Sequence, residues 1–140
     1  MKPIVVGVDG SEGAKAATAY AATAAKASGA PLLLVYVVPA HLPGGPQAYA
    51  QELTRWQEIC AGFGRKVLAE AAAAHPELAG QLRTIETIGD APETLAQLAE
   101  DEDAQMVVVG LRGHGQAPTL MGGVAYRLVQ LCKRPVLVFR

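Results

Sequence analysis

The run Pro31-Leu32-Leu33-Leu34-Val35-Tyr36-Val37-Val38 has no charged residue and no polar alternation. A strand with one wet face reads apolar-polar-apolar, whereas a continuous apolar run belongs to a strand covered on both faces. Sheets covered on both faces are built by strand-helix-strand crossovers, so this run predicts helices before and after it. The neighbouring segments agree. Ile4-Val5-Val6-Gly7-Val8 is a short β-branched run that enters the turn and cap residues Asp9-Gly10-Ser11. An alanine-rich helix is expected from about Ser11 to Ser28, stopping at Gly29. Its thin surface allows close packing on a sheet.

Beyond the run, Pro39-Ala40-His41-Leu42-Pro43-Gly44-Gly45-Pro46 is too rich in Pro and Gly to continue either element. A helix is predicted from about Gln47 to Ala74. There Leu53, Trp56, Ile59, Cys60, Phe63, Val67 and Leu68 recur at helical spacing, and His75-Pro76 ends it. Leu82 to Ile88 alternates imperfectly and reads as a less buried strand at an edge. Gly89-Asp90-Ala91-Pro92 opens a helix that runs to about Glu100, with Glu93 in its first turn. Gln105 to Gly110 is a further buried strand. A helix from about Leu120 to Cys132 then leads to the last strand, Pro135 to Phe139. The expected fold is an open, five-stranded α/β parallel sheet with helices on both faces, in one domain over residues 1–140.

Composition narrows the function classes. Hydrophobic residues make up 51% of the 140 and charged residues 18%, which suits a chain with a sizeable core. The formal net charge is -1, and Lys and Arg are scattered, so no basic footprint for nucleic acid or anionic membrane is expected. Apolar tracts fall short of a membrane span, and the first strand begins at once with no signal-like h-region, which predicts a cytoplasmic protein. Cys60 and Cys132 lack metal-ligand spacing and are expected to be reduced, buried and small. His41, His75 and His114 form no metal constellation, so no metal site is predicted.

In open α/β sheets, ligands bind beyond the carboxyl ends of strands where the strand order reverses. The first and fourth strands end in Asp9-Gly10-Ser11 and Gly110-Leu111-Arg112-Gly113-His114-Gly115. Glycine lets backbone amides approach a ligand, and amides at a helix N-terminus favour phosphate. The same glycines also suit a tight crossover with no ligand. No Gly-Lys-Ser/Thr follows them, and no G-x-G-x-x-G follows the first strand, so neither familiar phosphate loop is present.

Four ordered pieces, Ile4 to Ser11, Gly89-Asp90-Ala91-Pro92-Glu93, Val107 to Gly115 and Pro135-Val136-Leu137-Val138, make the chain resemble the universal stress protein family along its whole length. The resemblance implies a Rossmann-like, adenine-nucleotide α-hydrolase-like sheet of order 3-2-1-4-5. In many members it also implies a homodimer joined through the last strands, and Val136 to Phe139 is an apolar terminal edge that suits such pairing. Members that bind ATP resemble the pattern glycine, two residues, glycine, nine residues, glycine, Ser or Thr. Here Gly110 and Gly113 match its first half. The second half departs: nine residues from Gly113 reach Gly123 followed by Val124, whereas aligning Leu120-Met121-Gly122-Gly123-Val124 with Leu-Leu-Gly-Ser-Val puts Gly123 in the hydroxyl position. Either register loses the hydroxyl.

By the same resemblance Asp9 serves the ribose or lies near the adenine, and Val37 offers backbone groups to the base. Arg112 faces phosphate. The plainer readings are a helix N-cap for Asp9 and solvent for Arg112 and His114. The function these residues imply is a regulatory, non-catalytic module binding an adenine nucleotide, ATP or AMP, with or without Mg. The alternatives are a non-binding dimeric scaffold, or an enzyme acting on ATP, for which no general base or carboxylate set beyond Asp9 is evident. A phosphorelay receiver is disfavoured, because Asp9 stands without an acidic neighbour and Lys133-Arg134-Pro135 precedes the final strand with no helix after it.

Overall fold

The computed structural model describes residues 1–42, 50–112 and 123–140. Ten elements follow one another: β1 (Ile4–Gly7), α1 (Glu12–Ser28), β2 (Leu32–Pro39), α2 (Ala50–Ala73), a short 3-10 turn (Pro76–Leu78), β3 (Leu82–Gly89), α3 (Ala91–Asp101), β4 (Met106–Gly110), α4 (Gly123–Leu131) and β5 (Val136–Phe139). The strands form one five-stranded sheet in the order β3-β2-β1-β4-β5, every pairing parallel. This is the open, Rossmann-like α/β arrangement expected from the sequence.

The period of two along β2 divides the core. Leu32, Leu34, Tyr36 and Val38 turn to the face covered by α1 and α2, and Leu33 and Val35 to the face covered by α3 and α4. Nearly every side chain of β2 is therefore buried, which is why the run carries no polar alternation. α1 lies close because it presents methyl groups: Ala17, Ala21 and Ala25 are fully buried. Ser11 caps it by accepting the Ala14 amide (3.1 Å), and the Gly29 amide closes it on the Ala25 carbonyl (2.8 Å). α2 makes room for the Tyr36 ring at Gly64, where a Cβ would lie 2.6 Å from Cε1 of that ring.

β3 is an edge strand without a fully buried residue, as its broken alternation predicted. The strand β2 reaches one residue further than expected, with Pro39 opposite Gly89. Only Cys60 is buried. Cys132, expected in the core, is partly exposed at the end of α4, where the chain turns towards β5; both are free thiols. Among the described residues, no helix is long and apolar enough to cross a membrane.

Candidate functional site

β1 lies between β2 and β4, so the chain leaves its carboxyl end towards one side of the sheet and returns from the other. The turn after β1 is fixed locally. Gly10 takes a φ of 84°, a left-handed conformation that favours glycine. Asp9 Oδ1 accepts the Ser11 amide (2.9 Å), and the Ser11 hydroxyl accepts that of Ala14. The N-cap is therefore Ser11, not Asp9. Asp9 organises the turn one step earlier, and a carboxylate retains further acceptor capacity while doing so.

The end of β4 rests directly on this turn. A Cβ on Gly110 would lie 2.7 Å from the Gly13 carbonyl carbon and 3.0 Å from the Ala14 nitrogen, and one on Gly13 would lie 3.0 Å from the Arg112 carbonyl oxygen. Gly110 is thus required by backbone packing against α1, whatever else approaches it. The Leu111 amide, donated to the Phe139 carbonyl (2.7 Å), holds the next residue to β5.

Between these two turns opens a cavity of about 640 Å³. Asp9, Val37, Gly110, Arg112 and Val124 all line it, so five of the eight candidate residues come together there. Gly123 begins α4 beside Val124 but is not among the residues that line the cavity, and no described residue lies within 4 Å of where its Cβ would stand. Gly113 and Gly122, like His114 and Gly115, lie outside the described residues.

Val37 owes its place to the difference in strand length. β1 stops opposite Val35, whose carbonyl accepts the Val8 amide (2.9 Å). Residues two apart on a strand point their backbone groups the same way, so the Val37 amide and carbonyl face the side that β1 has vacated. Among the described residues, Asp9 and Arg112 are the charged members of the wall, and Arg112 makes no ion pair with them.

α3 and α4 contribute Ala91, Leu95 and Ala125, and much of the remaining wall comes from α2. Gln57 donates to the Pro39 carbonyl (3.1 Å) and ties the helix to the end of β2, which brings Trp56, Ile59, Cys60 and Phe63 over the cavity. These residues recur at helical spacing as expected, but their burial divides: Ile59 is 59% and Phe63 45% exposed, whereas Val67 and Leu68, further down the same stripe, are buried. Burial pushes the Cys60 thiol up. Burial, then the charges of Cys60, Asp9 and Glu86, push the Tyr36 phenol up, so both wall groups are neutral at pH 7. The indole N–H of Trp56 is buried and has no acceptor among the described residues. The arrangement is a largely apolar cavity whose charged members among the described residues are the carboxylate of Asp9, at the turn after β1, and the cation of Arg112, beyond the end of β4.

Comparison with known proteins fits this geometry. The sequence pattern of the universal stress protein family matches residues 1–140. The chain belongs to the universal stress protein family. It is 32% identical over 142 residues to a universal stress protein of Mycolicibacterium smegmatis, covering 99% of this chain and 45% of that one. It is 35% identical over 145 residues to a universal stress protein of Thermus aquaticus, covering 99% and 98%. The chain thus spans about half the length of its mycobacterial relatives and nearly all of the Thermus protein.

Among solved structures, the universal stress protein UspA from Lactobacillus plantarum superposes with a TM-score of 0.89 at 22% identity, covering 99% of this chain and 97% of that one. At that identity the likeness speaks for the fold. A universal stress protein from Archaeoglobus fulgidus in complex with dAMP gives 0.70 at 22% identity, with coverage of 100% and 98%. Another universal stress protein, in complex with cAMP, gives 0.75 at 25%, with coverage of 99% and 97%.

Proposed function

We propose that this universal stress protein is a regulatory module that binds an adenine nucleotide, AMP or ATP, in the cavity between the turns after β1 and β4, and performs no chemistry on it. The observation that carries the reading is the position of a 640 Å³ cavity at the strand-order reversal, with Asp9, Val37 and Arg112 in its wall. Relatives of the same fold bound to dAMP and to cAMP support the adenine part. In this reading the base lies against the α2 wall and takes hydrogen bonds from the Val37 backbone. Asp9 accepts from a ribose hydroxyl. Arg112, with Gly110, Gly113, Gly122, Gly123 and Val124, surrounds the phosphate, and Mg accompanies ATP as a counter-ion.

The setting is the cytoplasm, in a stress response, and the assembly is a homodimer through β5. The outer edge of β5 has no strand partner among the described residues, and beside it α4 exposes Tyr126, Val129 and Leu131. Sedimentation at the monomer mass across micromolar concentrations would remove the dimer from this reading.

A second reading, a dimeric scaffold that holds no nucleotide, is favoured by the missing hydroxyl at Gly123 and Val124. One experiment separates the two. Nucleotide released from freshly purified, denatured protein is identified by mass spectrometry, and the emission of Trp56, the sole tryptophan and a cavity residue, is followed on adding AMP or ATP with Mg. Recovered AMP or ATP, or saturable quenching, supports binding. No nucleotide and no change at millimolar ligand leaves the scaffold.

A further inference from the structure

A second cavity of about 500 Å³ lies in the seam between α1 and α2. Its floor is made of small or apolar side chains, chiefly Ala14, Thr18, Val67 and Ala71. On the α1 side the seam is lined by Ala14 and Ala19, whose methyl groups are too short to close it against α2. Thr18 donates its hydroxyl to the Ala14 carbonyl (2.8 Å), so it presents no unmet polar group. A floor of this kind recognises the apolar body of a ligand and nothing polar on it.

The rim is charged, and unevenly. Lys15 follows Ala14 on α1, and Lys66 stands between Phe63 and Val67 on α2. Lys66 makes no ion pair with the described residues. Among the described residues Lys15 pairs with Glu12 alone, at 3.4 Å and with both side chains largely exposed, a contact that contributes little. Glu70 and His75 lie one turn and more further along, and His75 already faces Glu77 at 3.7 Å. The uncompensated positive charge is therefore at the Phe63 end.

We propose that this seam binds a long-chain carboxylate, its headgroup between Lys15 and Lys66 and its chain lying over Ala71. The proposal does not rest on the nucleotide reading. The two cavities share Val8, Ala14 and Phe63, but Lys15, Lys66 and Ala71 belong to the seam alone.

The test titrates the full chain with octanoate, decanoate and dodecanoate, each below its micellar concentration, by isothermal titration calorimetry. Saturable one-to-one binding is expected, tightening about fourfold per added methylene. Replacing both cations, K15Q with K66Q, weakens dodecanoate about tenfold and leaves dodecanol unchanged. A71F fills the floor and removes dodecanoate binding while the Trp56 emission spectrum stays that of the wild type; should A71F not fold, the paired lysine variant decides. Unsaturable uptake, affinity independent of chain length, or dodecanol bound as tightly as dodecanoate by the wild type overturns the proposal. Loss of AMP binding would leave every one of these outcomes readable.

Discussion

Restoring the missing hydroxyl is the sharpest test of where phosphate would sit. Among the described residues, no heavy atom lies within 4 Å of a notional Cβ on Gly123, so a side chain there meets no described neighbour. Gly123 is also the first residue of α4, where a hydroxyl lies beside unpaired amides and the positive end of the helix dipole. A hydrogen bond to a charged phosphate contributes about 1.5–3 kcal/mol, so G123S is expected to tighten AMP about ten- to hundredfold. The assay is calorimetric or Trp56-fluorescence titration with AMP beside adenosine, which lacks the phosphate. The gain must appear with AMP and not with adenosine. V124T, nearly isosteric at a residue that does line the cavity, tests the alternative register. If neither variant changes the preference for AMP over adenosine by more than about twofold, no phosphate sits at the start of α4, and the reasoning fails.

Three further expectations follow from the packing and the charges. G110A places a methyl against the backbone of Gly13 and Ala14, atoms that yield only if α1 shifts. It should cost about 1–3 kcal/mol and lower Tm by roughly 3–10 °C in calorimetry, whereas G123A should stay within about 1 kcal/mol; equal effects would contradict the close approach. Glu100 and Asp103 are held below the ordinary carboxylate range by hydrogen bonds from Arg134 at 3.0 and 2.6 Å. A carboxylate lowered on folding stabilises the fold above its unfolded pKa and loses that contribution as pH falls through the folded value. R134Q should therefore flatten the fall of Tm between about pH 6 and 3, and an unchanged acid slope would refute the linkage. A thiol reagent should find one fast cysteine, partly exposed Cys132, which C132S removes. Cys60, almost wholly buried in the cavity wall and with its thiol pushed up, should react much more slowly, and two equally fast thiols in the native chain would contradict the structure.

Much of the fold was legible because its strongest signals are local. The unbroken apolar run of β2 required cover on both faces, the alanines of α1 explained that cover, and Asp90-Ala91-Pro92-Glu93 marked the start of α3, where Asp90 accepts the Glu93 amide (3.3 Å). At the candidate site, legibility fell off with the number of chain segments involved. Asp9 and Gly110 were found from their turns, but their detailed roles were not, since these depend on contacts across the sheet: Ser11 takes the cap, and Gly110 answers to Gly13, far away in sequence. Val37 could be placed near a ligand only by resemblance. Its physical reason, that β1 ends two residues earlier in the register, needs the pairing itself.

The α2 wall was missed for a reason that the element lengths contain. An α-helix rises about 1.5 Å per residue and a strand about 3.3 Å, so the 24 residues of α2 span about 36 Å while the 8 residues of β2 that it covers span about 26 Å. Gln57 is pinned level with the end of β2 by its bond to Pro39. The helix from Gln57 to Ala73 therefore matches the strand, and the turns before Gln57 stand beyond the sheet by about 10 Å. One apolar stripe runs through both parts without a break: Val67 and Leu68 meet the sheet, and Ile59 and Trp56, about two and three turns nearer the N-terminus, line the cavity, Trp56 from the overhang and Ile59 from the turn next to it. Periodicity cannot separate core from pocket along such a stripe, because both need apolar side chains at the same spacing. Length can. A crossover helix longer than the strand it covers must overhang one end, and in a parallel sheet whose helix begins at the carboxyl ends, the overhang falls where ligands bind.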